Sequence, residues 1–314
     1  MRAKVFGVND FEEGLMWKSV KQIESHEQAA IARIFSAAVF HQLVKTGHSP
    51  MMARLIKELN LDTKHCNLSV GEFLDKAFSL LKKTAFRNEY IYKAAVTQKV
   101  LLGAHSLKTA ALLHEFRIGN NKADLVMLNG TSIAYEIKSE RDRLDRLPIQ
   151  VASYGEVFAE VTVLCAEKHL KTVNSCIPDF VGISVLTERY QISKIRKGIN
   201  DPERTKSVSI LNSITQKEAI EILTRMEIEV PKLPNTMIYS ALVEKFKNIP
   251  STSVHDEMLK VLKSTRNLAS QADSIKTIPA SLRFFGLTTP YKEHGQKNLM
   301  NAIKTPITEA LNWG

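Results

Sequence analysis

Tryptophan occurs twice and cysteine three times in 314 residues, and no stretch approaches the ~18 uninterrupted apolar residues of a membrane helix. The cysteines, Cys66, Cys165 and Cys176, are odd in number, form no Cys-x-x-Cys pair and follow no regular spacing. That excludes a disulfide framework and a thiolate zinc site as organising features. The N-terminal stretch MRAKVFGVNDFEEGLMW lacks the apolar core of a secretory signal, so a cytoplasmic, reducing location without a membrane span is expected. No low-complexity tract and no repeat of fixed period is present, which excludes repeat architectures.

Acid is in shorter supply than base. Thirty-three Asp and Glu stand against 43 Lys and Arg, giving a net charge of +10 and a pI near 9.4. An excess of that size suits a polyanion, because each phosphate contact releases counterions. With 44% hydrophobic and 24% charged residues, the composition is that of a folded globular chain long enough for about two domains.

Three regions are expected. Residues 1–85 read as helical: HEQAAIARIFSAAVFHQLVKTG places Ile31, Ile34, Phe35, Ala38 and Val39 on one stripe. Gly47 to Pro50 break it, with Ser49 as cap and Pro50 as first residue of the next helix. Residues 86–198 read as an α/β core: a helix ending near Gly103, strands in AALLHEFRI, ADLVMLN, TSIAYEIK, EVTVLCA and FVGISVL, and helices in LPIQVASYGEVFAE and EKHLKTVNS. Residues 199–314 read as helices separated at Pro231, Pro234, Pro250, Pro279 and Pro290, with RKGINDPERTKS as the linker. Near the C-terminus, SLRFFGLTTPYKEHGQKN mixes basic and aromatic residues. A loop anchored in a helical core by Phe284 and Phe285 explains it better than base stacking does.

Charge inside the α/β region is the informative feature. Strand alternation puts Glu136 and Lys138 on one face of YEIKS. A hairpin turning at Gly119 to Lys122 would set Arg117 opposite Asp124 and leave Glu115, Arg117 and Asp124 on a shared face. A second turn at Asn129-Gly130 would bring Asp124 beside Glu136. Two ionised carboxylates side by side in a half-buried sheet repel unless a cation or a shared proton compensates. Mg²⁺, held by one or two carboxylates with waters and phosphate, is such a cation, and a neighbouring lysine suits phosphodiester hydrolysis. Arg141, Arg143 and Arg146, interleaved with Asp142 and Asp145, read as a solvated face, and His114 as a packing residue.

Asp124 followed by Glu136-Ile137-Lys138 resembles the core motif of the PD-(D/E)XK nuclease superfamily, with Ala123 in place of the usual proline. Gln150 and Tyr154 match the Gln-x-x-x-Tyr motif that several of its branches carry on the next helix. The string from His114 to Leu164 is similar to a bacterial branch of that superfamily. The resemblance spans about residues 86–190 and implies a restriction-endonuclease-like core, a mixed central sheet flanked by helices. It implies metal binding by Asp124, Glu136 and the Ile137 carbonyl, with Lys138 as the catalytic lysine. The superfamily adds one further acid; Glu115 in the first strand is preferred and Glu89 on the preceding helix stays open. The implied activity is Mg²⁺-dependent nuclease action, with Mn²⁺ as a substitute, on nucleic acid, DNA ahead of RNA, by a metal-activated water. The helical flanks would receive substrate, a second copy or a protein partner. The alternative is a catalytically silent nucleic-acid-binding or assembly module on a nuclease-like core.

Overall fold

The computed structural model describes residues 23–59, 61, 67–104, 109–230, 233–266 and 275–314. Cys66 and the N-terminal stretch read above for a signal lie outside the described residues. The chain divides into two compact units, one from Met1–Arg87 with Asp273–Gly314, the other Asn88–Ala272.

The first unit begins with α1 (Ser25–Ile34) and α2 (Ala37–Thr46), which replace the single helix expected there. Phe35 leaves helical geometry, at φ −89° and ψ 59°, and Ser36 caps the new start, accepting from Val39 N at 3.4 Å. The break turns Ala38 outward while Ile31, Ile34, Phe35 and Val39 stay buried. Gly47, left-handed at φ 79°, ends α2, and Ser49 caps α3 (Pro50–Glu58) through Met52 N at 3.1 Å. α4 (Val70–Leu81) starts on a capping box between Ser69 and Glu72.

The second unit opens with α5 (Glu89–Ala95), capped by Asn88 and continued through a π-helical turn over Val96–Leu101 into the short α6 (Leu102–Ala104). There follow β1 (Ala111–Ile118), β2 (Asn121–Leu128), β3 (Ser132–Lys138), α7 (Leu147–Gly155), β4 (Glu160–Cys165), α8 (Leu170–Cys176), β5 (Gly182–Leu186) and β6 (Ile192–Arg196). The strands form one mixed sheet in sequential order. β1, β2 and β3 are antiparallel, β3, β4 and β5 parallel, and β6 antiparallel to β5. Parallel neighbours need crossovers, and α7 and α8 supply them.

Two features differ from expectation. The first hairpin turns tightly at Gly119-Asn120, pairing Ile118 with Asn121 and Arg117 with Lys122, not with Asp124. Gly119 supplies the positive φ, 55°, that the tight turn uses. The second is β6, absent from the expected strands. Its sequence ISKIR has no period-two alternation, and its three central residues are exposed.

The expected boundary at residues 198 and 199 does not divide the protein. The segment read as a linker is tied to the sheet unit: Ile199 N bonds to Phe180 O, Asp201 N to Ala159 O, and Lys206 N to Glu156 O. Among the described residues four helices follow, α9 (Ser207–Leu211), α10 (Gln216–Arg225), α11 (Asn235–Lys247) and α12 (Ser251–Thr265). Their Ile210, Leu223, Phe246, Met258 and Leu262 share one buried cluster with Phe116, Val126, Val163 and Ile183 of the sheet. Apolar continuity, more than chain polarity, defines the unit.

Two polar contacts pin α12. Ser132 at the head of β3 accepts from Ala159 N at 3.0 Å and its hydroxyl lies within hydrogen-bond distance, 2.7 Å, of His255 Nε2; burial holds the imidazole pKa down. Glu218, which caps α10 through Thr215, takes a forked contact from Arg266, both bonds 2.6 Å. Burial pushes this carboxyl up, but Arg266 and the Thr215 donors outweigh it and bring its pKa down to about 2. Arg266→Ala is expected to destabilise the unit by about 2 kcal/mol, since it strands a buried carboxylate while part of the guanidinium is solvated. Urea titration at pH 7 measures this, and an unchanged midpoint refutes it.

The chain then returns to the first unit as α13 (Arg283–Thr288), α14 (Glu293–Lys304) and α15 (Ile307–Ala310). α14 packs on α2 and α4. Val70 N bonds to Thr305 O, Ile307 N to Leu68 O, and Asn298 Nδ2 to Val44 O. Phe284 and Phe285 are buried, and Phe285 stacks on Phe40 with centroids 5.4 Å apart. These two rings are core, as expected, but they sit on the helix Arg283–Thr288 and not on a loop, and being buried they offer no base a face to stack on.

Candidate functional site

β2 and β3 bring the paired acids together. Their register sets Leu125 opposite Tyr135, so the next step outward sets Asp124 opposite Glu136. Asp124 Oδ2 accepts from Ile137 N at 2.7 Å, which locks the carboxyl against β3. Glu136 is 2% exposed and Lys138 8%. Lys138 Nζ donates to Glu136 Oε1 at 2.7 Å and to Gln150 Oε1 at 3.0 Å.

α7 supplies the second layer. Gln150 and Tyr154, four residues apart, lie on one helical face. Tyr154 OH lies 2.8 Å from Glu136 Oε2 and 2.7 Å from Lys122 O, so one phenolic hydrogen serves two acceptors. Burial, and after it the Glu136 carboxylate, push the phenol pKa upward, so Tyr154 remains a donor at all ordinary pH. Both oxygens of Glu136 are thereby held, one by an ammonium and one by a phenol.

Burial is the first cause and the Glu136 charge the second of a rise in the Asp124 pKa to about 7. The Ile137 N–H and the Lys93 ammonium oppose that rise without cancelling it. Burial and the Glu136 charge thus favour the protonated form of Asp124, and a cation could take the place of that proton.

The two candidates for a further acid differ. Glu115 adopts a left-handed backbone, φ 51°, and interrupts the β1–β2 pairing between His114 with Leu125 and Phe116 with Ala123. Its Oε2 takes Lys122 Nζ at 2.7 Å, a contact that is the first cause of its lowered pKa. Glu89, on α5, acts electrostatically on Asp124 and pairs with Lys93. His114 does more than pack: its Nε2 lies 3.1 Å from Lys93 Nζ. Burial, then the Lys93 charge, bring its pKa down to about 4, so the neutral ring accepts from the ammonium. No sequence pattern singled out Lys93; its i,i+4 spacing from Glu89 reads as an ordinary helix-surface pair.

Arg141, Arg143 and Arg146 are exposed, as expected of a solvated face. Arg143 pairs with Asp145 at 3.0 Å, and Arg146 Nη2 reaches Asn121 Oδ1 at 3.4 Å. Cys165 is buried, and burial pushes its thiol pKa up to about 12, so it is no nucleophile.

Among the described residues, no three His, Cys, Asp or Glu side chains converge as a metal cage. The donor set is two carboxylates and a backbone edge, which fits a hard cation that keeps waters and takes substrate oxygens, as Mg²⁺ does. It does not fit a cation that needs a full protein shell.

The described residues thus define an α/β protein with a buried carboxylate–lysine cluster on a six-stranded mixed sheet. The family model described as Bacteriophage P4 protein cII matches residues 82–279, more than half of the chain. The chain belongs to that family. The match takes in the whole sheet unit and little of the helical one. Protein cII of Enterobacteria phage P4 is 35% identical over 79 residues, 24% of this chain and 30% of that protein. The chain therefore aligns with about a third of the length of this curated relative. No solved structure matches.

Proposed function

We propose that this protein is a divalent-metal-dependent nuclease of PD-(D/E)XK type that hydrolyses phosphodiester bonds in DNA in preference to RNA. The observation that carries the reading is the pairing of Asp124 with Glu136, with Lys138 bonded to Glu136 and Gln150. The order of antiparallel β1, β2 and β3, then α7, then parallel β4 supports a restriction-endonuclease-like core.

Asp124, Glu136 and the Ile137 carbonyl would hold Mg²⁺, with Mn²⁺ as a substitute, and the further acid would be Glu89, whose charge acts on Asp124, in place of Glu115, which is paired with Lys122. When bound, the cation supplies Lewis acidity toward a phosphoryl oxygen and toward water. Lys138, kept in place by Glu136 and Gln150, orients the attacking water and neutralises charge that develops on phosphorus oxygens. Tyr154 keeps Glu136 aimed into the pocket. The basic balance of the chain favours a polyanionic substrate.

The test is incubation of the purified chain with plasmid, linear duplex, single-stranded DNA and RNA, each with Mg²⁺, Mn²⁺ or EDTA. Metal-dependent cleavage that Glu136→Gln removes is the expected result. Absence of cleavage on all four substrates would replace this reading by a silent nucleic-acid-binding module.

A further inference from the structure

We infer that Lys93 is a second cationic residue of this site, placed to bind a non-bridging oxygen of the phosphodiester; the inference rests on the nuclease reading above. Lys138 is bonded to Glu136 and to Gln150 of α7, and Lys93 lies on α5, which packs on the strand that carries Glu136.

The Glu89–Lys93 pair has the spacing of a solvated helix-surface contact, yet its two ends differ. The lysine side chain is 8% exposed and the glutamate 51%. The ammonium is turned inward, to His114 of β1, and its helix packs on β3, the strand of Glu136. Taking an ammonium out of water is costly, and a methionine of similar length would fill the space without that cost.

Its partners do not exhaust it. An ammonium has three N–H donors; Glu89 and the His114 ring take two, and the third has no partner among the described residues. If Glu89 turns to the cation, Lys93 keeps only the His114 ring as a partner among the described residues. A phosphodiester oxygen is then the acceptor of matching charge. Lysine suits the role because its charge is compact and its donors rotate.

The experiment measures binding of a fluorescent duplex oligonucleotide to the full chain by anisotropy, in EDTA and in Ca²⁺, with cleavage followed in parallel samples containing Mg²⁺ or Mn²⁺. Lys93→Met, Lys93→Arg and Lys122→Met are compared, and thermal melts establish folding. In wild type the cation should tighten binding; Lys93→Met should lose about 10-fold or more of that gain, and Lys93→Arg should recover most of it. Lys122→Met, at an exposed position, should weaken binding equally in both conditions. If Lys93→Met unfolds, Lys93→Arg against a Lys93→Gln variant carries the comparison.

A cation-dependent gain that is undiminished in Lys93→Met overturns the inference, whatever wild type cleaves. A gain that needs Lys93 in a chain that never cleaves upholds the phosphate contact and removes the nuclease reading. No gain in wild type and no cleavage removes both.

Discussion

Lys138→Met is expected to lower Mg²⁺-dependent DNA cleavage by about 10³-fold or more while leaving the affinity for the cation unchanged or tighter. Methionine keeps most of the buried volume, so the change removes charge and donors more than packing. It removes a positive neighbour from Glu136, which by itself favours cation binding. What is lost is the ammonium that Gln150 and Glu136 hold in position, and no added metal replaces it. Rates at saturating Mg²⁺, set beside metal affinity by calorimetry, separate the two effects. Wild-type rates at saturating Mg²⁺ would show that Lys138 only neutralises Glu136. Glu136→Gln, in contrast, should lose cation affinity and rate together.

Asp124→Asn should make the protein more stable than wild type in EDTA at pH 8, by about 1–3 kcal/mol. In the folded chain the carboxyl binds its proton more tightly than the ordinary value near 4 allows, up to about 7, because of burial and then the Glu136 charge. Its contribution to stability is therefore fully present below about pH 4 and is lost as pH rises through about 7. Asparagine removes the buried charge and still offers an oxygen to Ile137 N. The advantage should shrink as pH falls from 8 to 5 and reverse when Mg²⁺ is added, since only the wild type gains from the cation. The carboxyls with lowered values, such as Glu218 at about 2, titrate below this window. Chemical denaturation at several pH values measures the difference; a variant less stable than wild type at pH 8 in EDTA would contradict it.

Much of this site was legible because face is more robust than register. The first hairpin pairs Arg117 with Lys122, two positions from the expected partner. A shift of two residues keeps every side chain on its face, so Lys122, Asp124 and Arg117 still share one. A shift of one would have moved Asp124 to the opposite side. Gln150 and Tyr154 were legible from helical spacing, and their contacts with Lys138 and Glu136 follow from it.

What was not legible had contextual causes. Glu115 takes a left-handed backbone that no local pattern announces, which hands its carboxylate to Lys122. Lys93 has the letters of a solvated pair and is buried only because α5 packs on the sheet. β6 is basic and lacks alternation, so its pairing with β5 is a tertiary decision. The C-terminal boundary failed for a similar reason: polarity in residues 196–207 suggested a linker, but the apolar faces of α9 to α12 belong to the sheet's core.

The helical unit is assembled from both ends of the chain, joined by Val70 N to Thr305 O and Ile307 N to Leu68 O. During synthesis, at about 5–20 residues per second, roughly ten to forty seconds separate Arg87 from Asp273. In that interval α1 to α4 leave the ribosome with Phe40 lacking the Phe285 and Tyr291 rings that later pack on it. The segment 88–272 of the sheet unit is thus synthesised before the helical unit is complete, so a ribosome that stops before α14 releases the helical unit without the segment that Leu68 and Val70 bond to.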